Sequence, residues 1–126
     1  MPFADTDFIL ALIKDDDWLK ERATTTYDRY KDELWISPHV ISELLLICKR
    51  LDLDPEKIIV HTYRLVKVRD LEEKTALLAA HYIKQKKINV FDALHAAYAQ
   101  FDEIISSDHI FDELGLDRIK LEKEYR

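Results

Sequence analysis

Short apolar runs alternate along the chain with stripes of apolar residues at helical spacing. The runs span a few residues each and polar residues bound them, which is typical of strands buried inside a sheet. They predict five strands, at residues 2–4, 34–36, 65–68, 103–106 and 119–121. The stripes predict seven helices, which begin near residues 6, 15, 37, 54, 70, 91 and 109.

Local signals mark several helix ends. Ser37 and Asp54 each precede a proline, and a capping side chain followed by proline at the first helical position favours a helix start. Asp70 and Glu73 have the spacing of a capping box, which predicts a helix from residue 70 to about residue 86. Gly115 is expected to end the last short helix.

The second predicted helix, residues 15–31, has the weakest helical signal. Acidic residues at 15–17 would form its first turn, where the helix dipole favours negative charge. The threonine run at 24–26 is a poor helix former. The apolar side of this helix is predicted to consist of Trp18, Leu19, Ala23, Tyr27 and Tyr30.

Strands that alternate with helices predict an α/β sandwich whose central sheet is mostly parallel. No linker, repeat or low-complexity segment interrupts the pattern, so residues 1–126 are expected to form one domain. In parallel sheets, ligands collect beyond the carboxyl ends of the strands. The residues that directly follow each strand are therefore the first candidates for chemistry.

The composition excludes several kinds of protein. The chain has 25 Asp and Glu against 19 Lys and Arg, and its net charge of −6 argues against a generic nucleic-acid coat. A single cysteine excludes a disulfide framework and argues against a zinc site, and a single glycine excludes a glycine-rich phosphate loop. No apolar run is long enough for a membrane span, so we expect a soluble, cytoplasmic protein without a membrane partner.

Four carboxylates stand where an unpaired charge would be costly. Asp5 ends the first predicted strand, Asp108 follows the fourth, and Asp92 opens a helix rich in alanine. Glu43 lies in a helix where its neighbours are almost all apolar. Each acid also has an ordinary interpretation, because the aspartates suit helix caps or first turns and the glutamate suits a helix edge that reaches solvent.

The predicted topology brings these four acids close together. The three aspartates lie at strand ends or helix starts on the same side of the expected sheet, and Glu43 lies early in the helix after the second strand. Converging carboxylates without a paired arginine repel one another, which raises some of their pKa values. A hard divalent cation relieves that repulsion, and oxygen ligands select Mg²⁺ or Mn²⁺.

Four short motifs, in a fixed order, carry a family resemblance. They are Asp5-Thr6-Asp7, Glu43 within a leucine-rich helix, Asp92-Ala93-Leu94-His95-Ala96-Ala97, and Ser106-Ser107-Asp108 with Phe111 three residues later. Together they resemble the PIN-domain nucleases, and more specifically the VapC-type toxin ribonucleases and their archaeal relatives. The resemblance extends over nearly the whole chain.

The resemblance implies a three-layer fold in which a mostly parallel sheet of about five strands, in the order 3-2-1-4-5, is flanked by helices. It also implies hydrolysis of RNA phosphodiesters by water that Mg²⁺ or Mn²⁺ activates. The implied catalytic and metal-binding carboxylates are Asp5, Glu43, Asp92 and Asp108, with Thr6, Ser106 and Asp112 in supporting positions. The chain departs from the family at Asp7, where asparagine is common.

RNA has to approach an acidic pocket, so positive charge is expected beside it. No acid lies between residues 73 and 92, and Lys84, Lys86 and Lys87 are the predicted phosphate contacts. These lysines also suit an ordinary helix end, where the dipole favours positive charge. His95 can approach the site, although a packed or solvent-facing histidine is the expected outcome.

The apolar stripes on the second to fourth predicted helices exceed what a small core needs. We therefore expect a homodimer, or a groove for an antitoxin, as the resemblance also suggests. The same resemblance makes the chain the expected toxin of a toxin-antitoxin pair.

Three other functions are compatible with parts of the sequence. A noncatalytic PIN-like module that binds RNA or protein is the main alternative, although the presence of all four acids argues against it. A phospho-acceptor receiver domain would need an acceptor aspartate at the end of the third strand, where Arg69 and Asp70 fit poorly. A phosphatase with Asp5 and Asp7 as its nucleophile pair would lack a cap and a well-placed lysine.

Overall fold

The structure, a computed structural model, describes residues 1–122. Its centre is a parallel five-stranded sheet with the order β3-β2-β1-β4-β5, flanked by helices, which confirms the expected fold class and strand order. The strands are β1 (Phe3–Ala4), β2 (Trp35–Ile36), β3 (Lys67–Val68), β4 (Ile104–Ser106) and β5 (Arg118–Lys120). The strands are short, and β1 is the middle one.

Seven helices are present in the described residues: α1 (Thr6–Ile13), α2 (Lys20–Tyr30), α3 (Pro38–Leu51), α4 (Pro55–Leu65), α5 (Glu73–Lys86), α6 (Val90–Ala99) and α7 (Ile110–Glu113). Side chains cap four of them at the amino end, because Asp5, Ser37, Asp54 and Asn89 each accept a backbone N–H of the first turn. The helix starts predicted at Ser37 and Asp54, with proline in the first turn, are confirmed.

The second helix is shorter than expected. It begins at Lys20, because the preceding residues form turns in which the Asp17 carboxylate accepts the Leu19 backbone N–H at 2.9 Å. Trp18, expected on the apolar side of this helix, is 76% exposed instead. The three threonines of residues 24–26 stay helical, and each donates its hydroxyl to the carbonyl four residues earlier.

The capping box expected at Asp70 and Glu73 is wrong. The Arg69 backbone N–H bonds to the Ile36 carbonyl at 2.9 Å, so the chain stays paired with the sheet just past β3 and cannot turn into a helix at Asp70. Helix α5 begins at Glu73 without a side-chain cap. Strand β3 is also shorter than expected because α4 continues to Leu65, and the remaining ends differ by one or two residues.

The core holds the two strands whose carboxyl ends carry candidate residues. Phe3, Ile104 and Ile105 have no exposed surface, and Phe111 of α7 joins the same cluster. Strands β1 and β4 pair in parallel, with Phe3 opposite Ile104 and Ala4 opposite Ile105. A close-packed interior resists displacement, so the residues that follow β1 and β4 are held at fixed positions relative to each other.

Helices α3 and α4 also carry apolar side chains that are exposed and do not pack into the core. They are Leu45, Leu46, Leu51, Val60 and Tyr63. None of the helices within residues 1–122 combines the length and the apolar character that crossing a bilayer requires.

Candidate active site

The Asp5 carboxylate lies at the carboxyl end of the middle strand, where two hydrogen bonds fix it. Its Oδ1 accepts the Thr6 backbone N–H and its Oδ2 accepts the Ser106 hydroxyl, both at 2.7 Å. The Ser106 Oγ also accepts the Asp108 backbone N–H at 3.0 Å. Ser106 therefore ties the end of β1 to the end of β4, and Asp5, 7% exposed, cannot turn away without breaking both of its bonds.

Helices α3 and α6 bring two further side chains to Asp5. The fully buried His95 places its Nε2 3.2 Å from Glu43 Oε1 and 3.6 Å from Asp5 Oδ1. Thr6 Oγ1 lies 3.4 Å from the same nitrogen, and the Thr6 side chain contributes to lowering the pKa of Glu43. One atom from each of Asp5, Glu43 and His95 therefore falls within 4.8 Å of the other two.

Asp92 and Asp108 lie at the edge of this group. Asp92, in the first turn of α6, accepts the Asn89 side-chain amide at 2.7 Å. Asp108 is exposed and its Oδ1 accepts the Ile110 backbone N–H at 3.0 Å, in the manner of a helix cap. Burial raises the pKa of Asp92, and the charges of Asp108 and Glu43 raise it further. The four predicted carboxylates thus lie in one region, as a close pair with two flanking acids.

Asp7, the departure from the family pattern, turns towards β4. Its Oδ2 accepts both the Ser107 backbone N–H, at 3.0 Å, and the Ser107 hydroxyl. Its Oδ1 is buried and has no hydrogen-bond partner among residues 1–122. Asp7 is therefore a second link between the ends of β1 and β4, parallel to the one that Asp5 makes with Ser106.

The ionised form of Asp5 is disfavoured in the absence of a cation. Burial, assisted by the charge of Asp7, raises the pKa of Asp5 to about 7, and the charge of His95 and the hydrogen bond from Ser106 oppose the shift. The pKa of Asp7 is also raised, mainly by burial.

Glu43 and His95 shift each other's pKa values, downwards for Glu43 and upwards for His95. Burial alone would raise the pKa of Glu43, but the hydrogen bond from His95, the Thr6 side chain and the charges of His95 and Arg50 together outweigh burial, and the net pKa lies below the usual value. Burial alone would lower the pKa of His95, but its hydrogen bond to Glu43 and the charges of Asp5 and Glu43 outweigh burial and raise it. Each side chain thus stabilises the charged form of the other.

The donor set fits a hard divalent cation. Among the ion pairs of residues 1–122, none joins a Lys or Arg to any of the four carboxylates. The one basic side chain that these pairs place beside them is His95, 3.2 Å from Glu43 and 3.6 Å from Asp5. The orphaned Oδ1 of Asp7 adds a further buried oxygen nearby without a compensating donor. Carboxylate oxygens are the ligands that Mg²⁺ and Mn²⁺ prefer, and a bound cation would offset this negative charge.

Asp112, a predicted supporting acid, is paired elsewhere. Its carboxylate accepts two hydrogen bonds from the buried Arg118 guanidinium, at 3.0 and 2.9 Å, and these bonds lower its pKa. Arg118 also donates to the Ser106 backbone carbonyl at 2.8 Å and to Glu122 at 2.7 Å. Asp112 is therefore linked to the end of β4 through Arg118. None of these bonds joins it to Asp5, Glu43, Asp92 or Asp108.

The predicted phosphate contacts lie at the end of α5. Lys84 and Lys86 are in its last turn, and Lys87 ends it in a left-handed backbone conformation with φ of 51°. All three side chains are exposed. The turn that they form leads directly to Asn89, which caps the helix that carries Asp92.

The place of His95 is what sequence reasoning missed. The side chain is packed, as expected, but it is packed between carboxylates and not away from them. A signal was available in the spacing, because His95 follows Asp92 by three residues and two such positions share one face of a helix.

Comparison with known proteins places the chain in a family. No curated protein sequence matches it. Its fold is similar to VapC20 of Mycobacterium tuberculosis, described as a sarcin-ricin loop cleaving toxin, with a TM-score of 0.81 and 18% identity over 95% of this chain and 99% of that one. It is also similar to FitAcB of Neisseria gonorrhoeae, with a TM-score of 0.73 and 21% identity over 96% and 98%.

A third similar structure is a toxin-antitoxin complex from Klebsiella pneumoniae, with a TM-score of 0.76 and 14% identity over 98% of this chain and 100% of that one. At these identities, the three likenesses concern the fold. The sequence itself gives the family, because the model of the PIN domain matches residues 3–116. The chain therefore belongs to the PIN domain family.

Proposed function

We propose that this protein is an endoribonuclease that depends on Mg²⁺ or Mn²⁺, and that it is the toxin of a toxin-antitoxin pair. One observation carries the proposal: the buried Asp5 carboxylate meets Glu43 at the end of the middle strand, and no Lys or Arg of residues 1–122 pairs with either acid. Membership of the PIN domain family supports the nuclease activity. The likeness to toxins and to a toxin-antitoxin complex supports the biological role, and residues 1–126 would act as one domain.

Each acid has its own part in this proposal. Asp5 and Glu43 would hold the cation, with Asp92 and Asp108 beside them. When bound, the cation would lower the pKa of a water molecule and offset the charge of the scissile phosphate. Ser106 and the Thr6 backbone hold the Asp5 carboxylate still, so the site needs little reorganisation when RNA arrives.

Proton transfer is assigned to Asp92, one of the two flanking acids. Asp92 lies in the first turn of α6 beside the pair that would hold the cation, so we assign it the proton of the attacking water. Glu43, whose pKa is lowered, stays ionised and orients that water by accepting a hydrogen bond. Hydrolysis of this kind leaves a 5′-phosphate and a 3′-hydroxyl. Lys84, Lys86 and Lys87 would contact the phosphates of the strand that leads into the site.

The first test is cleavage of a panel of labelled RNAs with EDTA, with Mg²⁺ and with Mn²⁺. We expect cutting with either metal and none with EDTA, because the carboxylates alone cannot activate water. Glu43→Gln protein, purified in the same way, controls for contaminating nucleases and should not cut. Cutting that persists in EDTA, or equally in the variant, would overturn the proposal. Binding of Mn²⁺ without cleavage of any RNA would favour the noncatalytic PIN-like module.

The exposed apolar side chains of α3 and α4 support a homodimer. Five large apolar residues on two adjacent helices are more than a monomer usually leaves in water, and a second copy of the chain would cover them. We expect a dimer mass by light scattering and a monomer for Leu46→Glu, which places a charge on that face. Lys74→Glu, a charge change at an exposed position of α5 and outside α3 and α4, is the control. A wild-type monomer at micromolar concentration would contradict the dimer and leave these helices as a surface for the antitoxin.

A further inference from the structure

His95 is the buried ionisable group that the proposed chemistry does not use. Its side chain has no exposed surface, and the rings of Phe3 and Phe91 lie 5.7 and 6.3 Å from it, centroid to centroid. Only one edge of the imidazole meets polar atoms. Nε2 lies near Glu43, Thr6 and Asp5, whereas Nδ1 is buried without a partner among residues 1–122.

The surroundings decide which nitrogen carries the proton. Ionised carboxylate oxygens only accept hydrogen bonds, so an unprotonated Nε2 would point a lone pair at Glu43, whose lowered pKa keeps it ionised. A proton on Nε2 instead gives one hydrogen bond, of 3.2 Å, to Glu43 Oε1. The lone pair of this nitrogen is then not available to a cation, and the other nitrogen faces away from the acids.

Glu43 needs such a donor more than Asp5 does. The Asp5 carboxylate is short and has two hydrogen-bond donors of its own, Thr6 N–H and the Ser106 hydroxyl. The longer Glu43 side chain extends from α3, is only partly buried, and has its hydrogen bond from His95. Without that bond, its three side-chain torsions would let the carboxylate move into solvent and away from Asp5.

We propose that His95 is a positioning residue of the metal site, one that holds the Glu43 carboxylate beside Asp5 by donating a hydrogen bond from Nε2, and that it is not itself a metal ligand. This inference rests on the proposed function, because it assumes that Asp5 and Glu43 bind the cation. Partners of this kind, which orient a ligand, typically contribute about ten- to a hundredfold to metal affinity.

The test is Mn²⁺ binding to the whole chain, measured by calorimetry, for two variants of similar size. His95→Gln keeps an N–H donor that can reach Glu43, and His95→Leu removes it. We expect His95→Leu to weaken Mn²⁺ binding by roughly tenfold or more and His95→Gln to remain within about threefold of wild type. His81→Gln, an exposed histidine on α5, is the matched control and should bind as wild type does. Melting temperatures of all four proteins show that each variant is folded at the temperature of the measurement.

Electron spin-echo spectroscopy of the Mn²⁺-loaded wild type separates a donor from a ligand. We expect no modulation from a directly bound imidazole nitrogen, and its presence would overturn the proposal. Equal loss of affinity in the Gln and Leu variants, or no loss in either, would overturn it as well. If the wild type itself binds no Mn²⁺, both the proposed function and this inference are wrong. If the wild type binds Mn²⁺ and the His95 variants bind it equally well, only this inference is wrong.

Discussion

Replacing Asp5 with asparagine is expected to lower the rate of RNA cleavage by about a thousandfold, because it removes charge stabilisation worth several kcal/mol. The protein should stay folded. Asparagine keeps an oxygen that can accept the Thr6 backbone N–H, and its amide can donate to the Ser106 hydroxyl in place of the present bond. Initial rates on one labelled RNA, with Mn²⁺ in excess and circular dichroism on the same samples, measure both quantities.

Asp54→Asn is the matched control for this variant. Asp54 is also a helix N-cap, and its carboxylate accepts the Lys57 backbone N–H at 3.3 Å, but it belongs to the start of α4 and not to the acidic group. Its loss of charge should leave cleavage within about twofold of wild type, since exposed polar substitutions have small effects. If Asp5→Asn cleaved RNA at the same rate as Asp54→Asn, Asp5 would not be part of the active site.

The metal-free protein is expected to lose stability as the pH rises from 5 to 8. The pKa of Asp5 is about 7 in the folded chain and 3.8 in an unperturbed aspartate, so between these values the folded state holds a proton that the unfolded state has released. Stability therefore falls with rising pH across this window. The raised pKa of His95 acts in the same direction, because its contribution is complete below pH 6.5 and is lost as the pH passes the higher folded value. The lowered pKa of Glu43 matters only below about pH 4.5, outside this window.

Urea denaturation, followed by tryptophan fluorescence in EDTA, measures this trend. We expect the free energy of unfolding to fall by roughly 1–3 kcal/mol between pH 5 and pH 8, since each unit of pH with one unmatched proton costs about 1.4 kcal/mol. Mn²⁺ at a hundred times its dissociation constant should restore about 2.7 kcal/mol at the upper end. Asp5→Asn should flatten the pH dependence and weaken the response to metal. A metal-free stability that rises from pH 5 to pH 8 would contradict the assigned direction of the Asp5 shift.

Much of the fold was predictable because the spacing of the apolar residues and the helix-capping residues indicate the same element boundaries. The apolar run at residues 34–36 has strand length, and Ser37 with the following proline both ends it and starts α3, so local and long-range signals coincide. The errors occur where tertiary contacts compete with local preference. Asp70 has the right spacing for a cap, but the sheet pairing of Arg69 keeps the chain extended there. Asp17 likewise delays the start of α2 by bonding to Leu19.

The candidate site was predictable only as a set of acids. Their order along the chain places them at one end of the sheet, which is a property of parallel topology. Their separation into a close pair and two flanking residues depends on helix packing, because α3 and α6 decide how far Glu43 and His95 reach towards Asp5. Asp112 is the converse case. Its sequence position suits a supporting acid, but its pairing with Arg118 depends on where β5 lies beside β4.

The bond between Asp5 and Ser106 joins residues 101 positions apart in the chain. Strand β1 leaves the ribosome before its neighbour β4, with all six helices α1 to α6 between them, and closing so long a loop costs entropy. Until then Asp5 lacks its serine and Glu43 lacks its histidine. A growing chain therefore carries separated acids and no assembled centre, so the proposed nuclease would have no complete site until Asp108 has been synthesised.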